Sequence, residues 1–397
     1  MNNVRISKSE SRLFGRGFTQ SGLVFAIYFF LLSFDFVAIA PGISVGRIAA
    51  FLTIALCLLN ASRWRLYPSY ANGCVAAFTF ACICSLLFIP VGFNEYNVYF
   101  TVFLNLILVG IASAEVYTAK DVLLWKRCLI AAALILGILA IVSPGQVGQE
   151  WVSGRVVPNI LGSQQDPNEF CGYYLLPVAF ATYYGIQKRD PILIAFLVFF
   201  IYTVFMTGSR GGLLAVAFAF LVALFAAVRN DKHRIGICAA AIIVLLIIAL
   251  NFDYILRLFP DAISSRFLFT GTGTGTAESR ISIWNQLIAA FLDSNLLQQL
   301  FGHGFGTTPL ANAAHLVAHN VYIELLYDVG ILGLVSFVGM LILACVSALR
   351  KGDYVLLAAI LGEAVLIASL SSFWSKTLWG LLILAYVTIR DCNLKHG

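Results

Sequence analysis

Charged residues are scarce in this sequence: Asp, Glu, Lys and Arg make up 11% of the 397 residues, whereas hydrophobic residues make up 60%. A soluble domain has about 25% charged residues. The composition therefore excludes a soluble protein with a charged surface. The nine cysteines form neither a disulfide framework nor a zinc-ligand spacing, and most lie within apolar runs. We interpret them as small, buried apolar residues.

Long apolar runs are what the sequence has instead. Runs of about 18 residues or more recur, each long enough to cross a hydrocarbon layer of ~30 Å. We predict an all-α polytopic membrane protein with about 12 transmembrane helices, near 20–40, 43–60, 72–92, 97–115, 124–143, 167–187, 190–207, 211–228, 234–251, 320–348, 353–371 and 373–390. The basic N-terminus precedes a span-length run without an A-x-A site, which predicts a first span and no cleaved signal peptide.

The distribution of positive charge predicts the orientation of these spans. With a cytoplasmic N-terminus, 18 of the 25 Lys and Arg residues fall at inside-facing positions, and the other seven are Arg47, Arg155, Arg210, Arg257, Arg266, Arg280 and Lys376. The positive-inside rule therefore predicts that both termini are cytoplasmic. Loops 144–166 and 252–318 and the turn 208–212 then face the outer side. Since topology explains the net charge of +6, no nucleic-acid partner is expected.

Residues 252–318 form a long, mostly polar excursion between two apolar runs. The excursion contains a Gly/Thr run at 271–276, an amphipathic segment at 279–284 and a Gly-His-Gly-Phe-Gly turn at 302–306. The Gly/Thr run lacks the Gly-Lys-Ser/Thr ending of a phosphate-binding P-loop, so we interpret it as flexible loop. Loops of this length in compact proteins are usually functional. We predict a large periplasmic loop that contains short helices and carries chemistry.

Arg210 and Arg280 each lie where a helix is predicted to begin. A cation is unfavourable at a helix N-terminus, where the dipole already presents partial positive charge. An arginine added to that end suits an anion, because its planar fork matches phosphate oxygens. Two such arginines on one face could hold a diphosphate. The alternative is that each guanidinium reaches the membrane interface or pairs with an acid such as Glu278 or Glu169.

His319 directly precedes the tenth predicted span, with Asn320 as the expected N-cap. Histidine is the usual general base near neutral pH, although a lone histidine is more often an interfacial residue bonded to backbone. His303 and His315 lie in the same loop, but their spacing matches no zinc signature, so we expect no metal.

Acidic residues near the outer face give further candidates. Glu324 and Asp328 lie four residues apart on one face of the tenth predicted span, and ionisable groups in a span usually face a cavity or a partner. Asp35 and Glu363 are isolated, and a structural hydrogen bond between helices explains them equally well. Residues 166–169, Asp-Pro-Asn-Glu, are typical of a turn and helix cap that could also present carboxylates to an outer cavity.

Four motifs in order resemble the O-antigen ligase and polymerase superfamily. They are Thr-Gly-Ser-Arg-Gly-Gly at 207–212, Ser-Arg-Ile-Ser-Ile-Trp at 279–284, Gly-His-Gly-Phe-Gly at 302–306 and His-Asn-Val-Tyr-Ile-Glu at 319–324, followed by Gly330 and Gly333. The resemblance spans roughly residues 150–350. We accordingly divide the chain into transmembrane helices 1–5 at 1–143, a ligase- or polymerase-like core at 144–350, and C-terminal helices with a cytoplasmic tail at 351–397.

The resemblance implies a GT-C-like glycosyltransferase of the bacterial inner membrane, with its active site facing the periplasm and an undecaprenyl-diphosphate-linked glycan as donor. It implies that Arg210 and Arg280 engage the lipid diphosphate and that His319 activates the acceptor hydroxyl. It also implies an inverting reaction that needs neither metal nor cofactor. We expect further substrate contacts from Arg155, Asp166, Asn168, Glu169, Tyr322 and Glu324. Expected partners are the lipid-linked glycan, membrane lipids, and a chain-length regulator and flippase of the same pathway.

Two activities fit the resemblance, and a third class competes with it. A polymerase adds growing glycan to a new lipid-linked repeat unit, whereas a ligase transfers glycan to lipid A–core. The context of residues 166–169 and 322–327 favours the polymerase. A transporter or flippase of the same glycolipid would also have about twelve spans. We see no internal repeat and no long linker after the sixth span, and polar residues gather on one face, so the enzyme is favoured.

Overall fold

The computed structural model describes residues 17–65, 69–90, 93, 96–144, 155–229, 231–237, 239, 243, 246, 250–257, 259–268 and 275–389. The described chain is mostly helical, as the composition predicts. Three short strand pairs interrupt the helices: β1 (Ala38–Ala40) with β2 (Ile43–Ser44), β3 (Val116–Tyr117) with β6 (Thr388–Ile389), and β4 (Asn159–Ile160) with β5 (Ser163–Gln164). The β3–β6 pair is parallel and joins distant parts of the chain.

The described residues of the N-terminal part form five helices. They are α1 (Gln20–Leu31), α2 (Val45–Leu58), α3 (Tyr70–Ser85), α4 (Tyr96–Ala114) and α5 (Ala119–Val142). Side-chain caps fix several of their beginnings. Thr19, Ser44 and Ser69 each accept a backbone N–H bond from the first turn. Thr118 and Asp121 form a reciprocal capping box at the start of α5.

The rest of the chain supplies twelve more described helices. They are α6 (Pro167–Gly172), α7 (Leu175–Lys188), α8 (Pro191–Met206), α9 (Arg210–Val228), α10 (Phe252–Leu256), α11 (Asp261–Phe267), α12 (Gly275–Leu292), α13 (Leu296–Phe301), α14 (Val321–Asp328), α15 (Gly330–Arg350), α16 (Tyr354–Leu366) and α17 (Lys376–Tyr386). Helices α10 to α13 lie within residues 252–318; α10, α11 and α13 are short, as expected, whereas α12 has 18 residues. The expected span 234–251 lies largely outside the described residues.

Among the described residues, five helices are long and apolar enough to cross a membrane: Tyr70–Phe88, Asn97–Ala114, Ala119–Val142, Arg210–Val228 and Gly330–Arg350. Five shorter apolar helices accompany them. Two predicted spans are divided. The span expected at 167–187 is split into α6 and α7, and the span expected at 320–348 is split at Val329 into α14 and α15. Gly330, with φ of +75°, permits the second break.

Small residues bring the central helices close together. Helix α9 packs against α7 and α16, while α3 packs against α15. A Cβ at Gly362 of α16 would lie 2.9 Å from Ala219 Cβ of α9, and a Cβ at Gly212 would lie 2.3 Å from Cys171 Sγ of α6. Such close backbone approach is the usual way that helices associate in a membrane. It places α6 beside the beginning of α9.

Candidate active site

The turn between α8 and α9 is the centre of the candidate site. Ser209 is the N-cap of α9, and its hydroxyl accepts a bond from Gly212 N at 3.1 Å. The same hydroxyl donates to Asn168 Oδ1 at 2.7 Å, which ties α9 to α6. Arg210 is therefore the first residue of a capped helix, as the sequence predicts. The prediction that a helix also begins at Arg280 is wrong, because α12 begins at Gly275 and Arg280 is its sixth residue.

Arg155 lies beneath this turn and is 4% exposed. Its Nε donates to Thr207 O at 2.6 Å, and its Nη2 donates to Asn168 Oδ1 at 3.1 Å. Burial and the nearby Arg266 lower the pKa of Arg155 to about 10, although Asp166 acts in the opposite direction. Arg155 thus joins the loop before α6 to the turn before Arg210.

Residues 165–169 place carboxylates beside the arginines. Asp166 Oδ1 accepts bonds from Asn168 N at 2.7 Å and Glu169 N at 3.1 Å, so the predicted cap is confirmed. Glu169 accepts a bond from Gln165 Nε2 at 3.0 Å and another from the hydroxyl of Ser372. The carboxylate of Glu169 therefore links α6 to the segment before α17.

His319 has a left-handed backbone, with φ of +51°, which is rare outside glycine. Its N–H donates to Ser371 Oγ at 2.7 Å. The hydroxyl of Ser371 donates in turn to Glu324, which is 3% exposed. Asn320 caps α14 by accepting bonds from Tyr322 N and Ile323 N, as predicted. The backbone of His319 is thus held from two directions.

The peptide before His319 is fixed on both sides. Ala318 is fully buried; its N–H donates to Glu324 Oε1 at 3.0 Å, and its carbonyl accepts from Trp284 Nε1 at 2.7 Å. Trp284 follows Arg280 by one helical turn on α12. The apolar face of α12 packs against Ala318 and Tyr327. These contacts fix the position of α12, which carries Arg280, relative to the peptide before His319. Neither the motif at 279–284 nor the motif at 319–324 indicates this contact alone.

The electrostatic environment is dominated by positive charge. Burial, Arg210 and Arg266 all lower the pKa of Arg280. Burial and Arg210 lower the pKa of Arg266. Burial and Arg280 lower the pKa of His319, while Asp166 raises it. These mutual effects on pKa indicate that Arg210, Arg266 and Arg280 lie near one another in one cationic site, with the imidazole of His319 at its side.

The Gly-His-Gly-Phe-Gly turn supports the site without entering it. Asp328 Oδ2 accepts from Gly306 N at 2.8 Å, and its Oδ1 accepts from Thr308 Oγ1 at 2.9 Å. The ring of His303 stacks on Tyr327 with centroids 4.2 Å apart. A Cβ at Gly302 would lie 2.2 Å from the Asp328 carbonyl, so a side chain there would prevent the close packing. This turn fastens the loop to the α14–α15 junction.

The other candidates have local partners. The hydroxyl of Tyr322 donates to Ala364 O at 2.9 Å. His315 is exposed. Asp35 accepts a bond from Ser44 Oγ at 2.6 Å, and Glu363, which is 1% exposed, accepts from Thr377 Oγ1 at 3.5 Å. The contacts of Asp35 and Glu363 agree with the alternative that these two acids form structural hydrogen bonds.

Sequence reasoning missed two contributors to the site. Arg266 lies in no motif, yet its Nε donates to Gly208 O at 3.0 Å, whereas Arg257 is exposed. Ser371, which bonds His319, lies in no motif and follows it by 52 positions. The only sequence signal for Arg266 was its place among the seven cations on the predicted outer side.

Comparison with known protein families also points to the part of the chain that contains the candidate active site. Residues 195–338 match the family model described as O-antigen ligase. The match begins within α8 and ends within α15, so it includes Arg210, Arg266, Arg280 and His319. The chain matches no curated protein. The segment that carries the arginines and His319 is therefore similar to the O-antigen ligase family, which confirms the resemblance to the O-antigen ligase and polymerase superfamily.

Proposed function

We propose that this membrane protein is a glycosyltransferase that polymerises undecaprenyl-diphosphate-linked repeat units into O-antigen or exopolysaccharide. The observation that carries the proposal is the cationic site around Arg210 and Arg280 with His319 beside it. A cluster of arginines suits the diphosphate of a lipid-linked donor. A partly buried imidazole suits proton removal from a sugar hydroxyl. We propose that the site faces the periplasm and that both termini are cytoplasmic.

In the proposed reaction, an acceptor hydroxyl attacks the anomeric carbon of the donor glycan. His319 takes the hydroxyl proton as the new carbon–oxygen bond forms. The bond between the anomeric carbon and the diphosphate oxygen breaks, and undecaprenyl diphosphate leaves with the electron pair. Arg210 and Arg280 stabilise the negative charge that develops on the leaving diphosphate. Attack on the opposite side of the anomeric carbon inverts its configuration.

The environment of His319 fits a base that works near neutral pH. Burial and the charge of Arg280 favour the neutral imidazole by lowering its pKa. A neutral imidazole can accept a proton, whereas an imidazolium cannot. The N–H groups of His319 and Ala318 donate to Ser371 and Glu324, and Trp284 donates to the Ala318 carbonyl, so the base needs little reorganisation before it acts. We assign Glu324 and Arg155 positioning roles, and we assign Asp166, Asn168, Glu169 and Tyr322 to the substrate-facing surroundings.

Transfer of glycan to lipid A–core is the second candidate function, because the matched family is described as O-antigen ligase. The arginines and His319 serve both reactions, since donor and bond chemistry are shared and only the acceptor differs. The family match offers no support for a flippase. A flippase would also not require a base beside the diphosphate site.

The glycan profile of cells that lack this protein distinguishes the two reactions. Loss of a polymerase leaves a single repeat unit on lipid A–core, which is the expected result. Loss of a ligase leaves full-length polymer on undecaprenyl diphosphate. A cell that accumulates unpolymerised units on the cytoplasmic side would contradict both and indicate transport.

A further inference from the structure

Arg266 lies in the cationic site, although the proposed mechanism does not use it. It is in the last turn of α11 and is partly buried. The next residue, Phe267, stacks on Phe205 of α8 with ring centroids 4.7 Å apart. Phe205 also contacts Phe259, which precedes α11, with centroids 4.5 Å apart. These aromatic contacts dock α11 on the end of α8 and set where the guanidinium of Arg266 lies.

The side chain of Arg266 lies against the backbone of Gly208. The Nε of Arg266 donates to Gly208 O at 3.0 Å. Gly208 has φ of +61°, and a Cβ there would lie 3.3 Å from Arg266 Cδ and 3.9 Å from Arg155 Cγ. Two consecutive carbonyls of this turn, those of Thr207 and Gly208, therefore each accept a bond from a different arginine. The turn leads directly into Arg210.

The charge around Arg266 separates it from an ordinary structural arginine. A structural guanidinium usually lies beside a carboxylate, because an uncompensated buried charge is costly. Among the described residues, the charged neighbour with the largest effect on the pKa of Arg266 is Arg210, and Arg266 in turn lowers the pKa of Arg155 and Arg280. Bringing like charges together is unfavourable. An anion bound among them would offset that cost.

We propose that Arg266 is a third arginine that binds the diphosphate of the donor, beside Arg210 and Arg280. This assignment rests on the proposed function. The bond from Nε to the Gly208 carbonyl orients the guanidinium, and the Nη groups contact a phosphate oxygen. Arg155, which is almost fully buried beneath the same turn, holds the backbone that leads into Arg210.

The substitution Arg266→Gln distinguishes two roles of Arg266, which are anion binding and support of the turn at Gly208. A glutamine amide nitrogen stands the same number of bonds from Cα as the arginine Nε, so it can still donate to Gly208 O. The variant loses the positive charge and both Nη groups. Arg266→Ala removes every donor, and Arg257→Gln is the matched control at an exposed arginine in the same loop.

The test is equilibrium binding of undecaprenyl diphosphate and undecaprenyl monophosphate to the full chain in nanodiscs. A hydrogen bond to a charged group corresponds to roughly a tenfold or greater change in affinity. Arg266→Gln should weaken diphosphate binding by about that factor, weaken monophosphate binding less, and leave the melting temperature unchanged. Arg257→Gln should bind both lipids as the wild type does.

Two results would overturn the assignment. Wild-type affinity in Arg266→Gln combined with weak binding in Arg266→Ala would make Arg266 a support for the turn alone. Equal losses for both lipids would indicate a general disturbance of the site. Failure of the proposed function looks different, because then the wild-type protein itself would neither prefer the diphosphate nor elongate glycan.

Discussion

Trp284→Phe tests whether the peptide before His319 sets catalytic activity. The substitution keeps an aromatic ring on α12 but removes the Nε1–H that donates to Ala318 O at 2.7 Å. Ala318 is fully buried, so its carbonyl loses a partner that water cannot readily replace. Leaving a buried acceptor unsatisfied costs about 1–3 kcal/mol. If that cost falls on the conformation that holds His319 in place, kcat should fall by roughly 5- to 150-fold.

The assay is glycan elongation by purified protein with synthetic lipid-linked repeat units. Trp125→Phe is the matched control, since Trp125 Nε1 donates to the Gly22 carbonyl at 2.6 Å between α1 and α5. The control should lose a comparable amount of thermal stability and keep its kcat. Wild-type kcat in Trp284→Phe, with the same loss of stability as the control, would refute a positioning role for this bond.

Three further outcomes are expected. Arg210→Lys and Arg280→Lys should make little polymer at normal protein level, because an ammonium keeps the charge but loses the bidentate fork, whereas Arg257→Ala should be near wild type. Normal polymer in both lysine variants would contradict the proposal that the two arginines bind the diphosphate. The kcat/KM should rise with pH through the pKa of His319 and level off above it, with that pKa below the ordinary 6.5, since burial and Arg280 lower it; a midpoint above 6.5 would contradict this environment. In a background without native cysteines, Asn285→Cys should react with an impermeant thiol reagent in intact spheroplasts and Lys232→Cys should not; the opposite pattern would invert the proposed topology.

Local sequence patterns predicted the pieces of this fold well. Asp166 and Asn320 are N-caps in the structure, as predicted, because capping depends on residues only two or three positions apart. Apolar length likewise predicted most of the described helices. Such signals are local, so they are readable without knowing how the chain folds.

Breaks within the spans were not predicted, although they shape the site. Hydropathy averages over about 19 residues, so it does not register that α6 ends at Gly172 or that α14 ends at Asp328. The break at Val329 depends on Gly330, which adopts a positive φ and lies against the backbone of Leu300. That contact joins segments thirty residues apart, and no local rule foresees it.

The site itself required tertiary structure for the same reason. Arg210, Arg280 and His319 were identified from motifs, whereas Arg266 and Ser371 enter only through contacts with distant residues. Glu324 was expected to face substrate. Its bonds to Ala318 and Ser371 suggest that it acts by holding the loop of His319. A motif records which residues recur together, but only packing shows which of them support the others.

The most direct test of the central proposal is elongation of purified lipid-linked repeat units by wild-type, His319→Ala and His315→Ala protein in the presence of EDTA. Removal of a positioned general base typically lowers the rate by ~10²–10⁴. We expect a polymer ladder from the wild type and from His315→Ala, whose side chain is exposed, and almost none from folded His319→Ala. A fully active His319→Ala protein would contradict the assignment of the base. Loss of wild-type activity in EDTA, restored by a divalent ion, would contradict the metal-independent mechanism.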